Sequence, residues 1–364
     1  MPIISTIVTT NTDITGPQGL LIARTGGVLT ETGNAIDNTD LSGVTDGVRL
    51  IVEGTVASSG GLGVVLSGGS SSYHSVVITE SGSVASTSIF NAIQIAGVGG
   101  RLFNAGSIDG NGGLSMIGDN CVVQNSGSIT GILAAVTLDG GTGFSLVNSG
   151  TIAGDGTITL VNASASIQNS GLIMATIAAQ PAISLLSVSA LSLRNSGEII
   201  APGKAIQGAG QADNIRNSGT IDGDVFLGGG ADVFRGKQGV LLGVLSGDAG
   251  ADFLSGGKGD QLIFGGTEND SLSGDAGDDT LFGGNGYDRF VFSRRGDDDT
   301  ISVFQNGTDT LDVRAFHFAN FAAVAAISRD APGGMLIDLQ SVGGGTVFLD
   351  GFSKALFNAT DVIL

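Results

Sequence analysis

Five nine-residue units follow one another without a gap from Gly247 to Val291, and so short a tandem period restricts that stretch to a stacked, repetitive fold. They begin at Gly247, Gly256, Gly265, Gly274 and Gly283. The last, Gly283-Gly284-Asn285-Gly286-Tyr287-Asp288-Arg289-Phe290-Val291, matches Gly-Gly-x-Gly-x-Asp-x-apolar-x throughout. One unit cannot bury its own apolar residue, so successive units must stack. The first six residues read as a turn, in which glycines allow positive φ and expose carbonyls while the aspartate adds a carboxylate. The last three read as a short strand whose middle residue points inward. Phe234, Leu254, Ile263, Leu272, Leu281 and Phe290 fill that inward position. Phe234 belongs to an upstream copy, Gly228-Gly229-Gly230-Ala231-Asp232-Val233-Phe234, which is out of phase with the others. Residues 236 to 246 keep glycines but carry no aspartate.

A second, longer period precedes the first. Asn-x-Gly-x-Ile recurs at Asn104, Asn125, Asn148, Asn169, Asn195 and Asn217, with spacings of 21, 23, 21, 26 and 22 residues. Weaker copies place Gly33, Gly54 and Gly82 at the glycine position, which brings the total to about nine. Short β-branched runs between glycine turns at this period suit the coils of a parallel β-solenoid, a right-handed β-helix. Stacking would put Ile108, Ile129, Ile152, Ile173, Ile199 and Ile221 in an inward ladder about 4.8 Å apart. The asparagines would form a second ladder. Asn tolerates left-handed dihedrals in turns, and stacked amides can hydrogen-bond along the axis.

Composition agrees with repetitive β structure. Of 364 residues 63 are Gly, yet 41% are hydrophobic, enough to bury a core without many helix-favouring stretches. Cys121 is the only cysteine, so no intramolecular disulfide can form, and a small buried apolar role suits it. No basic residue precedes Arg24, which is wrong for a cleaved secretory leader, and no apolar run reaches the length of a membrane span. The net charge of -19 argues against nucleic acid or anionic lipid and favours cations. Carboxylates and carbonyls repeated on the turns of a tight coil form oxygen cages suited to a hard cation such as Ca²⁺. The metal-ligating candidates are Asp232, Gly247, Asp252, Gly256, Gly265, Asp270, Gly274, Asp279, Gly283, Gly284, Gly286 and Asp288.

These residues resemble the RTX β-roll of Gram-negative proteins exported by type I secretion. The resemblance implies Ca²⁺ held between units 18 residues apart, pairing Asp252 with Asp270, Asp270 with Asp288 and Gln261 with Asp279. Gln261 and Glu268 depart from the pattern, so two full sites, a doubtful third and one at Asp232 are expected. Residues 297–301, 307–312 and 345–351 resemble the capping segment of RTX proteins, and Asp361-Val362-Ile363-Leu364 resembles an uncleaved export signal. Fourteen of the seventeen Phe residues follow residue 225, enough for a conventional capping core. The long repeats resemble, more loosely, the β-helical stalks of autotransporters and adhesins.

The expected organisation is a cap or joining strand at 1–29, a parallel β-solenoid at 30–225, a β-roll at 226–291 and a capping segment with the export signal at 292–364. Residues 247–290 carry nine acidic and two basic side chains, so calcium binding would act as folding free energy, released outside the cell. The expected function is a secreted structural protein of the cell surface or extracellular matrix, assembling into fibres or an S-layer-like lattice. Its apolar start, Pro2 to Thr10, is a cap or a joint between copies. The expected partners are further copies of the chain, the type I secretion machinery and a surface glycan or lipopolysaccharide. A non-polymerising adhesin is the alternative. A β-helical polysaccharide lyase or epimerase is weaker, because Tyr73-His74 is the one candidate pair and residues 1–225 carry a net charge of -9. The chain is read as a non-enzyme.

Overall fold

The computed structural model describes residues 3–4, 7–8, 12–13, 20–22, 27–30, 34–37, 47–67, 73–187, 189–236, 238–294 and 297–364. It is nearly all β, a parallel β-solenoid whose nonapeptide repeats lie toward the C-terminus. Two compact units divide the chain, residues 1–205 and 206–364.

In the first unit three strand segments make one coil, and each pairs in parallel with its counterpart in the next coil. Arg101–Asn104 pairs with Val122–Asn125, which pairs with Phe144–Asn148 and so on to Ala190–Asn195. Ser107–Ile117, Ser128–Asp139 and Thr151–Val161 each turn a corner and supply two faces. Strand alternation sends every second residue inward. Three aliphatic columns result, represented by Leu102–Val123–Leu146–Ile167–Leu193, Ile108–Ile129–Ile152–Ile173–Ile199 and Leu114–Val136–Ile158–Ile183, all of them buried. The predicted isoleucine ladder is therefore present in this unit. Ile221 is likewise buried in the second unit.

The asparagines stack as expected, for one of the two reasons anticipated. Asn104, Asn125, Asn148, Asn169 and Asn195 end strands in ordinary extended backbone, and none has a positive φ. Their side chains point inward and run as an amide ladder. Each Nδ2 donates to the next Oδ1, at 2.7 Å from Asn104 to Asn125 and 2.8 Å at the three steps that follow. The same Nδ2 groups also donate to carbonyls of their own motif and of the next coil's motif, such as Gly150 and Leu172 for Asn148. An amide is needed because a buried donor and acceptor must both be satisfied at one position. The motif's glycines stack equally closely: a Cβ on Gly127 would collide with the carbonyl of Gly106.

Cys121 is fully buried and its Sγ faces the carbonyls of Gly97 and Gly118. A register shift between Gly131 and Ala134 pushes Ile132 and Leu133 out into solvent. Ile3–Ile4 and Ile7–Val8 are strands paired in parallel with Leu20–Ile22 and Gly27–Thr30. The rest of the expected joint, Pro2, Ser5, Thr6, Thr9 and Thr10, lies outside the described residues.

The second unit changes to a shorter coil. Through the nonapeptide units its strands pair in parallel with those 18 residues on, giving the inward columns Leu254–Leu272–Phe290 and Leu245–Ile263–Leu281, the second of which continues to Ile301 after a step of 20. Phe234, Leu254, Ile263, Leu272, Leu281 and Phe290 are fully buried, as the repeat required. The last coil is covered by Thr346–Asp350, parallel to Asp298–Ser302, and by an antiparallel sheet with Gly334–Asp338 and Ser328–Ala331. Phe304 joins coil to cap, 6.1 Å from Phe290 and 5.2 Å from Phe352 between ring centroids. Val362–Ile363 pairs with Leu311 and Asp312, so the C-terminal residues belong to the sheet of this cap. Among the described residues no helix is long and apolar enough to cross a membrane.

Replacing Asn148 by Ala removes the middle of the amide ladder and leaves the Asn169 acceptor and two carbonyls without their donor. Chemical denaturation is expected to show a loss of about 2–4 kcal/mol. An unchanged midpoint would mean that the ladder contributes nothing to stability.

Candidate metal centre

The nonapeptide turn places its aspartate where the backbone enters the core, and the chain uses that carboxylate twice. One oxygen builds the turn. Oδ1 of Asp270 accepts from the backbone N–H of Asp252 at 2.8 Å, and Oδ1 of Asp288 accepts from that of Asp270 at 3.0 Å. On the opposite edge, Oδ1 of Asp279 accepts from the N–H of Gln261 at 2.7 Å. The three pairs 18 residues apart are thus brought together. Asp232, although out of phase in sequence, joins the first column, its N–H donating to Oδ1 of Asp252 at 2.7 Å.

The other oxygen has no protein partner. Oδ2 of Asp232, Asp252, Asp270, Asp279 and Asp288 is buried without a hydrogen bond, in side chains no more than 3% exposed. Burying such acceptors unpaired is costly. Oδ2 lies against the first glycine of its own unit: a Cβ on Gly247, Gly265, Gly274 or Gly283 would collide with the oxygen of Asp252, Asp270, Asp279 or Asp288. Those glycines have no positive φ and are required by space alone. A carbonyl converges on the same place, since a Cβ on Gly265 would stand 2.5 Å from the oxygen of Gly283. Gly256 has the same surroundings, with Gln261 Oε1 at 2.7 Å from the position of a Cβ and the Gly274 carbonyl also at 2.7 Å. Oε1 of Gln261 is buried and unpartnered like the carboxylate oxygens. Gln261 therefore keeps the oxygen and loses only the charge.

Gly284 and Gly286 act differently, with φ of 104° and 144° that side chains rarely adopt. The chain tolerates acidic residues at three equivalent places: Asp248, Glu268 and Asp275 have φ of 69°, 74° and 75°. Glu268 compensates by accepting the N–H of Gly250 at 2.6 Å.

The column is longer than the sequence reading expected. Asp213, 2% exposed, donates its N–H to Oδ1 of Asp232 at 2.6 Å and begins the column one coil earlier. Its signal was Gly208-Ala-Gly-Gln-Ala-Asp213-Asn-Ile215-Arg, which keeps the first glycine, the aspartate and the inward aliphatic but shifts the middle glycines. Downstream, Asp309 accepts from the N–H of Asp288 at 3.2 Å and Asp299 from that of Asp279 at 3.1 Å. Both lie 20 or 21 residues from their partners and so escaped a strict period. Asp309 ends its column, because its own N–H donates to the Gln305 carbonyl at 2.8 Å, and its second oxygen accepts from the N–H of Gln305 at 2.9 Å.

Burial and neighbouring carboxylates push these aspartates upward. Asp232, Asp270, Asp279 and Asp299 are raised to about 7, and Asp252 and Asp309 to about 6. For Asp270 burial acts first, with the charges of Asp252, Asp288 and Glu268 adding to it. Asp288 is raised by burial. Among the described residues no three His, Cys, Asp or Glu side chains meet as a metal cluster. The oxygen set here is of another kind, paired carboxylates with backbone carbonyls, which is hard-cation chemistry. Unpartnered buried oxygens, acidic charge and carbonyls directed at one place fit Ca²⁺.

Residues 244–260 and 255–290 match the RTX calcium-binding nonapeptide repeat, in four copies. This stretch is an RTX β-roll, and the repeat is a calcium-binding motif. No curated protein matches the chain.

The raised values set a pH dependence. With a folded pKa of about 6 to 7 against the 3.8 of an ordinary aspartate, the folded state holds more protons than the unfolded one in between. That contribution is complete below the unfolded value and is lost as pH rises through about 7. Metal-stripped protein is expected to melt at progressively lower temperature from about pH 5 to about pH 7.5, with Ca²⁺ abolishing the fall. A metal-free melting temperature that is flat or rises over this range would contradict the assignment.

Proposed function

We propose that the protein is an exported structural protein that folds its C-terminal unit around Ca²⁺ outside the cell and then assembles with copies of itself into fibres or a surface lattice. The observation that carries the reading is the file of buried aspartates whose second oxygens lack a partner. Asp252 with Asp270, Asp270 with Asp288, Gln261 with Asp279, and Asp232 with Asp252 would hold the ions. The glycines Gly247, Gly256, Gly265, Gly274 and Gly283 leave room for the oxygens, and Gly284 and Gly286 shape the turn. Bound Ca²⁺ supplies the positive charge that allows these carboxylates to be ionised while buried. The chain's own part is to fix Oδ1 on the neighbouring turn, so that Oδ2 is already in place. At the low free calcium of a cytoplasm the acidic roll is disfavoured, which suits export by a type I machinery, and at about millimolar Ca²⁺ outside it is favoured.

Assembly is supported by the start of the solenoid. The strands Ile3–Ile4 and Ile7–Val8 continue the parallel stack through Leu20–Ile22 and Gly27–Thr30, and a stack of this kind is extended by adding a parallel strand, as a second copy of the chain would do. A catalytic role has less support. His74 is 2% exposed with Nδ1 accepting the N–H of Val48, while Tyr73 is 62% exposed, so the two do not form a pair on one surface.

Negative-stain electron microscopy and light scattering on the purified chain, in chelator and then in about millimolar Ca²⁺, test the reading. Filaments or sheets are expected with Ca²⁺ alone. Asp270→Asn, which removes one charge shared by two pairs, is expected to raise the calcium needed at least about tenfold. Calcium-compacted monomers would rule out polymerisation and leave a non-polymerising adhesin.

A further inference from the structure

Outside the metal columns, the second unit carries a groove on one outer face of its roll. The strands Val233–Arg235, Phe253–Lys258, Ser271–Ala276 and Arg289–Val291 run side by side there. Their outward positions read Arg235, Ser255, Ser273 and Val291 in one file, and Val233, Phe253, Ser271 and Arg289 in the other. The small Ser271 and Ser273, set between larger neighbours, leave a hollow of about 330 Å³. This is at the lower end of the range of small-molecule sites, about 300–1,000 Å³.

The lining combines chemistries that the roll itself does not use. Phe253 is 39% exposed, and the Arg235 guanidinium lies 5.0 Å from its ring centroid. Among the described residues Arg235 makes no ion pair, whereas Arg289 is bound to Asp312. Asp275 closes the groove, its carboxylate accepting from the Ser255 hydroxyl. An occupant must present an apolar face to Phe253, hydroxyl donors to Asp275, and acceptors to Arg235 and the serines. A pyranose ring does all three. The net charge of -19 repels an acidic sugar, which leaves a neutral one.

We propose that the groove bounded by Arg235, Phe253, Ser271, Ser273, Asp275 and Val291 binds a neutral hexopyranose unit of a glycan. The site goes beyond the structural reading above, because it gives the folded roll a ligand of its own whether or not the chain polymerises.

The test is saturation-transfer NMR on the full calcium-loaded chain with methyl glucoside, methyl galactoside and methyl mannoside. Saturable binding of at least one glycoside is expected with a dissociation constant on the order of millimolar, the strength usual for a small open site. Ser273→Phe fills the groove from the outer face, and Phe253→Ala removes the platform; each is expected to weaken binding at least about tenfold. Methyl glucuronide is expected to bind more weakly than the neutral sugars. The proposal is overturned if no glycoside saturates below about 50 mM. It is likewise overturned if both variants bind like the parent chain, or if the glucuronide binds best. A calcium-dependent melting curve recorded on the same samples separates this failure from failure of the calcium reading.

Discussion

A buried carboxylate with one oxygen bonded and the other unpartnered is the constraint on which the C-terminal unit depends. Each Oδ1 from Asp232 to Asp309 ties its own turn to the backbone N–H of the preceding one, so the column aligns the coils. At Asp252, Asp270 and Asp288 the geometry that makes this bond also aims Oδ2 at the first glycine of its unit, where no side chain fits. Alignment of coils and preparation of a cation site are therefore one interaction. Without a cation the column survives only by holding protons, which is why burial pushes these groups to about 6 or 7.

The first unit solves the same stacking problem with neutral groups. Asparagine carries a donor and an acceptor, so from Asn125 to Asn195 each Oδ1 is satisfied by the amide before it without an ion, and the Oδ1 of Asn104 at the head of the ladder is left over. Ionised aspartate carries acceptors only and leaves one oxygen over at Asp232, Asp252, Asp270, Asp279 and Asp288. One ladder needs nothing from solution and the other requires a cation or protons. Both units have packed inward columns, but only the second adds buried carboxylate oxygens that need a cation or protons.

Much of this was legible because a period is easier to read than a single site. The inward ladders followed from spacing alone: Ile108 to Ile199 and Leu254 to Phe290 are buried where the repeats put them. The paired aspartates followed from the nonapeptide and its resemblance to RTX proteins. Asp213, Asp299 and Asp309 did not, because columns are kept by backbone register, which tolerates one to three extra residues in a turn, whereas a sequence period does not. The asparagines were expected to stack partly through left-handed turns, yet they end extended strands with inward amides. Nor does the pattern distinguish a glycine needed for positive φ, such as Gly284, from one needed for room, such as Gly283. The groove beside Phe253 was not legible, since it arises from the absence of bulk at Ser271 and Ser273, which no motif records.

The most direct test of the central claim is the number of protons released when calcium binds. Calorimetric titration of metal-free protein with Ca²⁺ near pH 6.5, in two buffers of different ionisation enthalpy, gives that number. Release of several protons is expected, diminishing toward none as pH is raised above the range in which the buried aspartates titrate. Calcium binding with no proton release at pH 6.5 would show that the column is already ionised without the metal, and would contradict the account.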